Sequence, residues 1–188
     1  MSVIAGKLES LSELTRADMA HYRYRVFIET LGWELETQNN EEYDQFDHDD
    51  TLYVLCKDDE GNINGCARLL PTSKPYLLSE IFPQLMNGQP VPCSDDVWEL
   101  SRFAAVDFNS RHTSALNQFS ASFAIRLLRQ AIACAKAHGA KRLITVSPIG
   151  IERLLQRGGI RCHRAGPPMI IDGHPIFACW IELEDEAQ

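Results

Sequence analysis

Six charged side chains in the first 102 positions stand among apolar runs: Arg23, Asp44, Asp47, Arg68, Glu99 and Arg102. Three are guanidiniums and three are carboxylates, so the set is neutral as a whole. An unpaired charge next to a buried segment is costly to desolvate, whereas opposite charges can be buried together. Carboxylates can transfer protons, and a guanidinium can bind a carboxylate through two hydrogen bonds. The pattern therefore predicts that these side chains form a functional site.

Other reactive residue types show no spacing that would point to a different chemistry. The six histidines have neither metal-ligand nor catalytic-triad spacing, and there is no G-x-S-x-G turn of a serine hydrolase. The six cysteines lie far apart without any C-x-x-C or Cys/His pairing. We therefore predict no metal site, and we expect the cysteines to be reduced packing residues.

The first half of the chain is predicted to contain one helix, one loop and one hairpin. Apolar residues at helical spacing predict a helix over residues 12–31, and the polar, acidic stretch 34–50 predicts a loop. Residues 51–56 and 63–70 are predicted strands, joined by a turn rich in Asp and Gly.

The second half alternates predicted helices and strands before a β-rich end. Helices are predicted over 79–85, 114–138 and 151–157, and strands over 97–106, 141–147, 160–165, 169–171 and 175–183. The segment 97–106 is apolar on both faces, as expected of a central strand. This order predicts an α/β fold with one mixed central sheet and helices on both faces.

Four short motifs occur in order along the chain: Arg23-x3-Phe27-x5-Trp33, Tyr43-Asp44-x2-Asp47, Gly65-Cys66-Ala67-Arg68-Leu69-Leu70-Pro71 and Trp98-Glu99-Leu100-Ser101-Arg102-Phe103. In these motifs and their order the chain resembles the acyl-homoserine lactone synthases, the LuxI-type autoinducer synthases that produce the bacterial quorum-sensing signal. Each motif alone is weak, but four in the same order are specific. The resemblance implies a three-layer α/β/α sandwich of the acetyltransferase-like class.

The resemblance also implies an acyl transfer followed by ring closure. The α-amino group of S-adenosylmethionine attacks the thioester carbonyl of an acylated acyl carrier protein. The methionine carboxylate then displaces methylthioadenosine and closes the lactone. S-adenosylmethionine is a substrate in this scheme, and no cofactor is expected.

The charged residues have two readings under this chemistry. The amine needs a base, for which Glu99 is the candidate, directly or through water; a structural ion pair with Arg102 or Arg68 is the alternative, and a base relayed by water or a backbone carbonyl stays open. Arg23, Arg68 and Arg102 could bind the methionine carboxylate, or could pin the helix and the acidic loop through Asp44, Asp47 and Glu99. The same arginines could serve in both roles, substrate binding and structural pairing.

Aromatic residues are expected to line the S-adenosylmethionine site together with Arg102. Phe27 and Trp33 could stack on adenine or face the sulfonium. Phe82 and Phe103 could complete the wall, although simple core packing is the competing interpretation for both.

An apolar tunnel is expected for the acyl chain, and simple core packing is again the alternative. The residues assigned to it are Leu100, Ser101, Thr145, Val146, Leu154 and Leu155. A threonine matching Thr145 accompanies substituted acyl chains in the family, because its hydroxyl can hydrogen-bond a 3-oxygen. The resemblance therefore implies a 3-oxo or 3-hydroxy chain of medium length.

Charge is divided unevenly along the chain. Residues 111–164 carry ten Lys or Arg against one acid, although the whole chain has a net charge of −8. Such a protein is not expected to bind nucleic acid generally, but its basic section could dock an acidic carrier protein. The assigned docking residues are Arg126, Arg129, Lys136, Lys141, Arg142, Arg153 and Arg157; ordinary solvated helix faces are the alternative.

Length and hydropathy bound the remaining possibilities. The 188 residues, 45% of them hydrophobic, fit a single domain over residues 1–188. There is no apolar run long enough for a signal peptide or a membrane span, so we expect a cytoplasmic protein.

Two other functions compete with the synthase. An N-acetyltransferase that uses acetyl-CoA would share the fold, but residues 106–120 contain no glycine for the usual pyrophosphate-binding turn. A non-catalytic sensor of a nucleoside-like ligand would need the same charges and aromatic rings.

Overall fold

The computed structural model describes residues 2–109 and 121–183. The strands are β1 Ser2–Lys7, β2 Leu52–Lys57, β3 Ile63–Pro71, β4 Val97–Ala104, β5 Arg142–Pro148, β6 Cys162–Arg164, β7 Met169–Ile171 and β8 His174–Glu182. The helices are α1 Glu13–Arg23, α2 Leu77–Ile81, α3 Ala121–Ala137 and α4 Gly150–Arg157. The strands form one mixed sheet in the order β1-β2-β3-β4-β5-β8-β6, with β7 paired to β8.

The chain divides into two compact units, the first comprising residues 2–68, 102–109 and 121–130. In this unit β1 pairs antiparallel with β2 along its whole length, and β3 is the next strand of the sheet after β2. α1 begins after Ser12, whose hydroxyl accepts a hydrogen bond from Thr15 N at 3.2 Å. One face of α1 packs on an apolar core that includes Met19, Tyr22, Tyr53 and Leu55.

A glycine in the third motif permits a close approach between β3 and α3 in this unit. A Cβ atom at Gly65 would lie 3.1 Å from Phe123 Cζ and 3.2 Å from Leu127 Cδ2. Any larger residue at this position would push α3 away from the strand. Gly65 therefore serves the packing of α3 on β3.

The second unit comprises residues 69–101 and 131–183. Its centre is β8, which pairs antiparallel with β5 from Arg142↔Glu182 to Pro148↔Ile176 and with β6 and β7 on its other side. β4 and β5 pair in parallel over only three residues, and this pairing ends at Glu99↔Ile144 although both strands continue.

Most predicted elements are present, with differences at their ends. The predicted helix over 12–31 is α1 followed by a seven-residue π-helix, Tyr24–Thr30. β1 was not predicted, and the helix predicted over 79–85 is α2 followed by a 3-10 turn, Pro83–Met86. The start of the helix predicted over 114–138 lies outside the described residues.

All six cysteines have free thiols. No helix of the described residues is both long and apolar enough to cross a membrane.

Candidate active site

Three arginines and three carboxylates of the first unit form a buried cluster, here named the ionic cluster: Arg23, Glu42, Asp44, Asp47, Arg68 and Arg102. Arg23, which is fully buried, bridges two of the carboxylates. Its Nε donates to Glu42 Oε2 at 2.6 Å, and its two terminal nitrogens donate to the two oxygens of Asp47 at 2.8 and 3.0 Å. This fork anchors the C-terminal end of α1 to the acidic loop.

The other two arginines complete the cluster. Arg68 Nη1 lies 2.5 Å from Asp44 Oδ1 and 3.0 Å from Asp47 Oδ1. Arg102 donates to Glu42 through Nε at 3.1 Å and through Nη2 at 2.9 Å, and its Nη2 lies 2.8 Å from Asp44 Oδ2. Each carboxylate is thus shared between two arginines, and the charges of the six residues sum to zero.

Backbone contacts place the loop carboxylates beside the helix. Glu42 N donates to Ala20 O of α1 at 3.1 Å. A tight turn follows, in which Asp44 N donates to Asp47 Oδ2 at 2.7 Å and Asp47 N donates to Asp44 O at 3.1 Å. The spacing Asp44-x2-Asp47 therefore brings both carboxylates to one side of the turn, because each end of the turn holds the other.

Arg102 has a left-handed backbone within β4, with a φ of +48°. This conformation costs a residue with a side chain about 1 kcal/mol, and it interrupts the alternation of faces along the strand. Leu100, Ser101 and Arg102 are all buried, with exposures of 1%, 4% and 7%. The contacts of the guanidinium with Glu42 and with Asp44 offset the strain.

The electrostatics of the cluster keep Glu42 and Asp47 charged. Burial alone would raise the pKa of Asp47, but Arg23 and Arg68 hold that pKa well below its usual range. Burial also acts to raise the pKa of Glu42, and Arg23 and Arg102 outweigh it, so that this pKa is lowered. Glu42 and Asp47 therefore stay ionised at neutral pH.

Tyr53 of β2 adds a neutral donor to the cluster. Its fully buried hydroxyl donates a hydrogen bond to Asp47 Oδ1. Burial, reinforced by the negative charge of Asp47, raises the pKa of Tyr53 far above its ordinary value. The hydroxyl therefore keeps its proton and helps to fix the orientation of the carboxylate.

Phe27 and Trp33 stack on each other beside Arg102. Their ring centroids lie 4.8 Å apart with an angle of 26° between the planes. The guanidinium carbon of Arg102 lies 5.4 Å from the Phe27 ring and 5.8 Å from the Trp33 ring. The end of the helix brings the rings together, because Gly32 adopts a left-handed backbone, with a φ of +68°, and Trp33 N then donates to Phe27 O at 2.9 Å.

A cavity of 880 Å³ borders the ionic cluster in the first unit. It is lined by Leu35, Glu36, Thr37, Gln38, Asn39, Glu41, Glu42, Tyr43, Asp44, Gln45 and Arg102. Two of the lining carboxylates, Glu36 and Glu41, lie outside the neutral ionic cluster, so the field inside favours a ligand with positive charge.

Two residues that line the cavity, Asp44 and Arg102, retain unused hydrogen-bonding capacity. Asp44 Oδ2 is buried and makes no hydrogen bond of good geometry within the described residues, although Arg102 Nη2 is 2.8 Å away. Nη1 of Arg102 takes part in none of the contacts between the described residues given above. One acceptor and one donor nitrogen thus lie side by side, which suits the ammonium and carboxylate of an α-amino acid.

The structure places the remaining predicted residues as follows. Arg23, Asp44, Asp47, Arg68 and Arg102 converge as expected, and Phe27 and Trp33 lie with them. Phe103 follows Arg102 in β4 and is half-buried.

Glu99 and Phe82 belong to the second unit. The two oxygens of Glu99 accept hydrogen bonds from Leu77 N at 3.1 Å and Leu78 N at 2.7 Å, at the start of α2. Phe82 ends the same helix and is half-buried. Their roles in catalysis and in binding stay predictions.

The residues assigned to the acyl chain all lie in the second unit. Leu100, Ser101, Thr145 and Leu155 are buried, and Val146 and Leu154 are half-buried. Thr145 Oγ1 and Ser147 Oγ, both buried, lie 2.9 Å apart on one face of β5. Each hydroxyl has one proton, and their mutual hydrogen bond uses only one of the two, so a donor is left over.

The basic residues assigned to docking differ in their surroundings. Arg126, Arg129, Lys136, Lys141, Arg153 and Arg157 are exposed. Arg142 Nε and Nη2 instead donate hydrogen bonds to the two carboxylate oxygens of Glu182 at 2.8 to 3.2 Å. The guanidinium carbon of Arg142 also lies 3.9 Å from the centroid of the Trp180 ring. Arg111, counted in the basic section, lies outside the described residues.

Glu42 and Tyr53 were missed by the reading of the sequence. Glu42 lies in a loop with several other acids, and only its burial, at 1% exposure, separates it from them. Tyr53 occurs in an apolar strand where an aromatic residue is unremarkable. The one usable signal was the position of Glu42 immediately before the Tyr43-Asp44 motif.

The chain matches known proteins over nearly its whole length. The family model described as autoinducer synthase matches residues 7–188. An acyl-homoserine-lactone synthase of Acinetobacter nosocomialis is 56% identical over 183 residues, which cover 97% of this chain and 100% of that protein. The crystal structure of TofI, solved with an inhibitor and MTA, is 43% identical with a TM-score of 0.85, covering 98% of this chain and 92% of TofI.

More distant structures share the fold alone. BjaI, described as a CoA-dependent acyl-homoserine lactone synthase and solved with SAM and isopentyl-CoA, is 23% identical with a TM-score of 0.83, covering 98% of this chain and 84% of BjaI. A Lactobacillus plantarum protein described provisionally as an N-acetyltransferase is 16% identical with a TM-score of 0.65, covering 98% of this chain and 100% of that protein. The predicted acetyltransferase-like α/β fold is thereby confirmed. The match of the family model and the identity to a full-length synthase together show that the chain belongs to the autoinducer synthase family and is an acyltransferase that makes acyl-homoserine lactones.

Proposed function

We propose that the chain transfers an acyl group from an acylated carrier protein to the amine of S-adenosylmethionine, and that the product then closes to a lactone with release of methylthioadenosine. The observation that carries the proposal is that Asp44 and Arg102, which carry opposite charges and lie side by side, both line the 880 Å³ cavity. A substrate with an ammonium, a carboxylate and a sulfonium matches both this pair and the excess of carboxylates around it.

The pair fixes both reacting ends of the substrate. Asp44 accepts from the ammonium, and Arg102 Nη1 donates to the carboxylate. The rest of the ionic cluster holds Asp44 and Arg102 rigidly, since their neighbours Glu42 and Arg68 are buried at 1% and 0% exposure. Such preorganisation lowers the entropic barrier to both steps.

The first step needs a free amine. Glu99 is the proposed base, directly or through water, and its two backbone hydrogen bonds hold the carboxylate in one orientation. The amine nitrogen then attacks the thioester carbonyl, the C–S bond breaks, and the thiol of the donor leaves with a proton. In the second step a carboxylate oxygen attacks the carbon bound to the sulfonium, and the C–S bonding pair leaves with methylthioadenosine.

The acyl group is proposed to enter where β4 and β5 stop pairing. The parallel pairing of β4 with β5 ends at Glu99↔Ile144, and the acyl chain is proposed to lie between the two strands beyond that point. The leftover proton of the Thr145–Ser147 hydroxyl pair is available to a 3-oxo or 3-hydroxy oxygen. This supports an acyl chain that is oxygenated at its third carbon.

The acyl donor is proposed to be a carrier protein that docks on exposed arginines. Arg153 and Arg157 are four residues apart on α4, hence on one face of that helix. Both side chains are exposed, so they can meet an acidic surface without first breaking a buried contact. BjaI is described as CoA-dependent, so a CoA thioester is the competing donor.

The test supplies purified chain with S-adenosylmethionine and either an acylated carrier protein or the matching acyl-CoA. We expect methylthioadenosine release and an acyl-homoserine lactone by mass spectrometry, with a higher kcat/KM for the carrier thioester. Equal or faster turnover with acyl-CoA would overturn the donor, and no release with either would overturn the reaction.

Charge reversal tests the docking surface separately. Arg153→Glu combined with Arg157→Glu should raise KM for the carrier thioester about tenfold and leave KM for S-adenosylmethionine unchanged. Lys74→Glu, an exposed residue outside the basic section, is the matched control. An unchanged KM for the carrier in the double variant would remove these arginines from the docking surface.

A further inference from the structure

Tyr43 is the aromatic residue that faces the cavity. Among the described residues lining the 880 Å³ space it is the one aromatic side chain, and it is 38% exposed. Phe27 and Trp33, in contrast, are stacked face to face on each other, and neither lines this space in the part of the chain described. The free aromatic surface of the cavity therefore comes from Tyr43.

The Tyr43 ring is held in place before any ligand arrives. Its hydroxyl donates to Arg16 O of α1 at 3.1 Å. The guanidinium carbon of Arg23 lies 5.9 Å from the ring centroid. Its chain neighbours Glu42 and Asp44 are both fixed by the ionic cluster, which restrains the backbone of Tyr43.

The charge of the cavity indicates which kind of ligand group would contact the Tyr43 ring. Glu36 and Glu41 line the cavity outside the neutral ionic cluster, so they give the cavity an excess of negative charge. A sulfonium has no hydrogen to donate, so it cannot satisfy a carboxylate as an ammonium does. The electron-rich face of an aromatic ring is the partner that suits such a cation.

Resting on the proposed function, we propose that Tyr43 is a specificity residue whose ring faces the sulfonium of S-adenosylmethionine. The amino acid head group bound by Asp44 and Arg102 places the sulfonium three bonds from the α-carbon, and Tyr43 directly precedes Asp44 in the chain. The ring thereby distinguishes the charged substrate from its neutral thioether analogue S-adenosylhomocysteine.

The test measures binding of both compounds by calorimetry to the wild type, Tyr43→Leu and Tyr43→Phe. Leucine keeps an apolar side chain without a π face, whereas phenylalanine keeps the ring and loses only the hydrogen bond to Arg16 O. We expect Tyr43→Leu to weaken S-adenosylmethionine about tenfold and S-adenosylhomocysteine less than twofold. Tyr43→Phe should stay within about threefold of the wild type for both.

Three outcomes would overturn the inference. Equal weakening of both compounds by Tyr43→Leu would assign the ring to adenine or to general packing. No weakening of either would remove Tyr43 from the site. Weakening by Tyr43→Phe as large as by Tyr43→Leu would make the hydroxyl, and not the ring, the important group. Failure of the wild type to bind S-adenosylmethionine at all would instead count against the proposed function.

Discussion

Replacement of Glu42 by glutamine should destabilise the protein strongly, because this carboxylate neutralises two buried arginines. Arg23 Nε lies 2.6 Å from it, and Arg102 reaches it through two nitrogens at about 3 Å. Glutamine can accept from one arginine, but its amide hydrogens then face the other, and the ionic cluster is left with an excess positive charge. Loss of one partner from a buried ion pair costs about 3 to 5 kcal/mol. Since one acceptor survives, we expect the lower end, about 3 kcal/mol.

Urea unfolding followed by circular dichroism at pH 7 measures this loss, with Glu34→Gln as the control on an exposed acid of the same loop. The control should unfold within about 0.5 kcal/mol of the wild type. A Glu42→Gln variant as stable as that control would refute the reasoning, because it would mean that the two arginines do not depend on this charge.

The pH dependence gives the same prediction a second check. Burial opposes the effect, but Arg23 and Arg102 lower the pKa of Glu42 below its usual value. A lowered folded-state pKa adds stability above the unfolded pKa of about 4.3, and this stability is lost as pH falls through the folded value. The difference between wild type and Glu42→Gln should therefore be constant from pH 7 to about pH 5 and shrink below about pH 4. A difference that grew on acidification would have the wrong sign.

Two further substitutions test the site and the acyl region. Arg102→Lys should lose most turnover while the chain stays folded, because one ammonium cannot hold Glu42, Asp44 and a substrate carboxylate together; methylthioadenosine release and thermal melting measure it, and near-normal turnover would exclude Arg102 from the site. Thr145→Val should reduce the preference in kcat/KM for 3-oxygenated over unsubstituted acyl chains about fivefold, since it removes one hydroxyl of the pair with Ser147. An unchanged preference would show that the hydroxyl does not contact the chain.

Local patterns in the sequence predicted the elements well where the evidence for them was itself local. The hairpin of β2 and β3 was predicted because apolar runs flank a turn rich in Asp and Gly, and α4 because its periodicity ends at Gly158-Gly159. β1 was missed because a six-residue edge strand, four of whose residues are exposed, is defined by its pairing with β2 some fifty residues away.

The site was predicted in its main members but not in its full composition. The spacing of Asp44 and Asp47 and the isolation of Arg23, Arg68 and Arg102 among apolar residues indicated burial, and burial of charge requires partners. Glu42 could not be separated from Glu41 by any local rule, because only the fold decides which of two adjacent acids is buried. The left-handed backbone of Arg102 has no sequence signature either, since it occurs at a residue that rarely adopts it.

The π-helix of Tyr24–Thr30 makes the length of this segment more constrained than its composition. Removal of one residue between Phe27 and Trp33 would break the hydrogen bond from Trp33 N to Phe27 O and move one aromatic ring away from the other. Exposed positions such as Glu29 and Thr30 can exchange freely as long as the count is kept. Evolution of this stretch should therefore tolerate substitution and reject insertions and deletions, so that an unchanged residue count marks the preserved site better than any single amino acid within it.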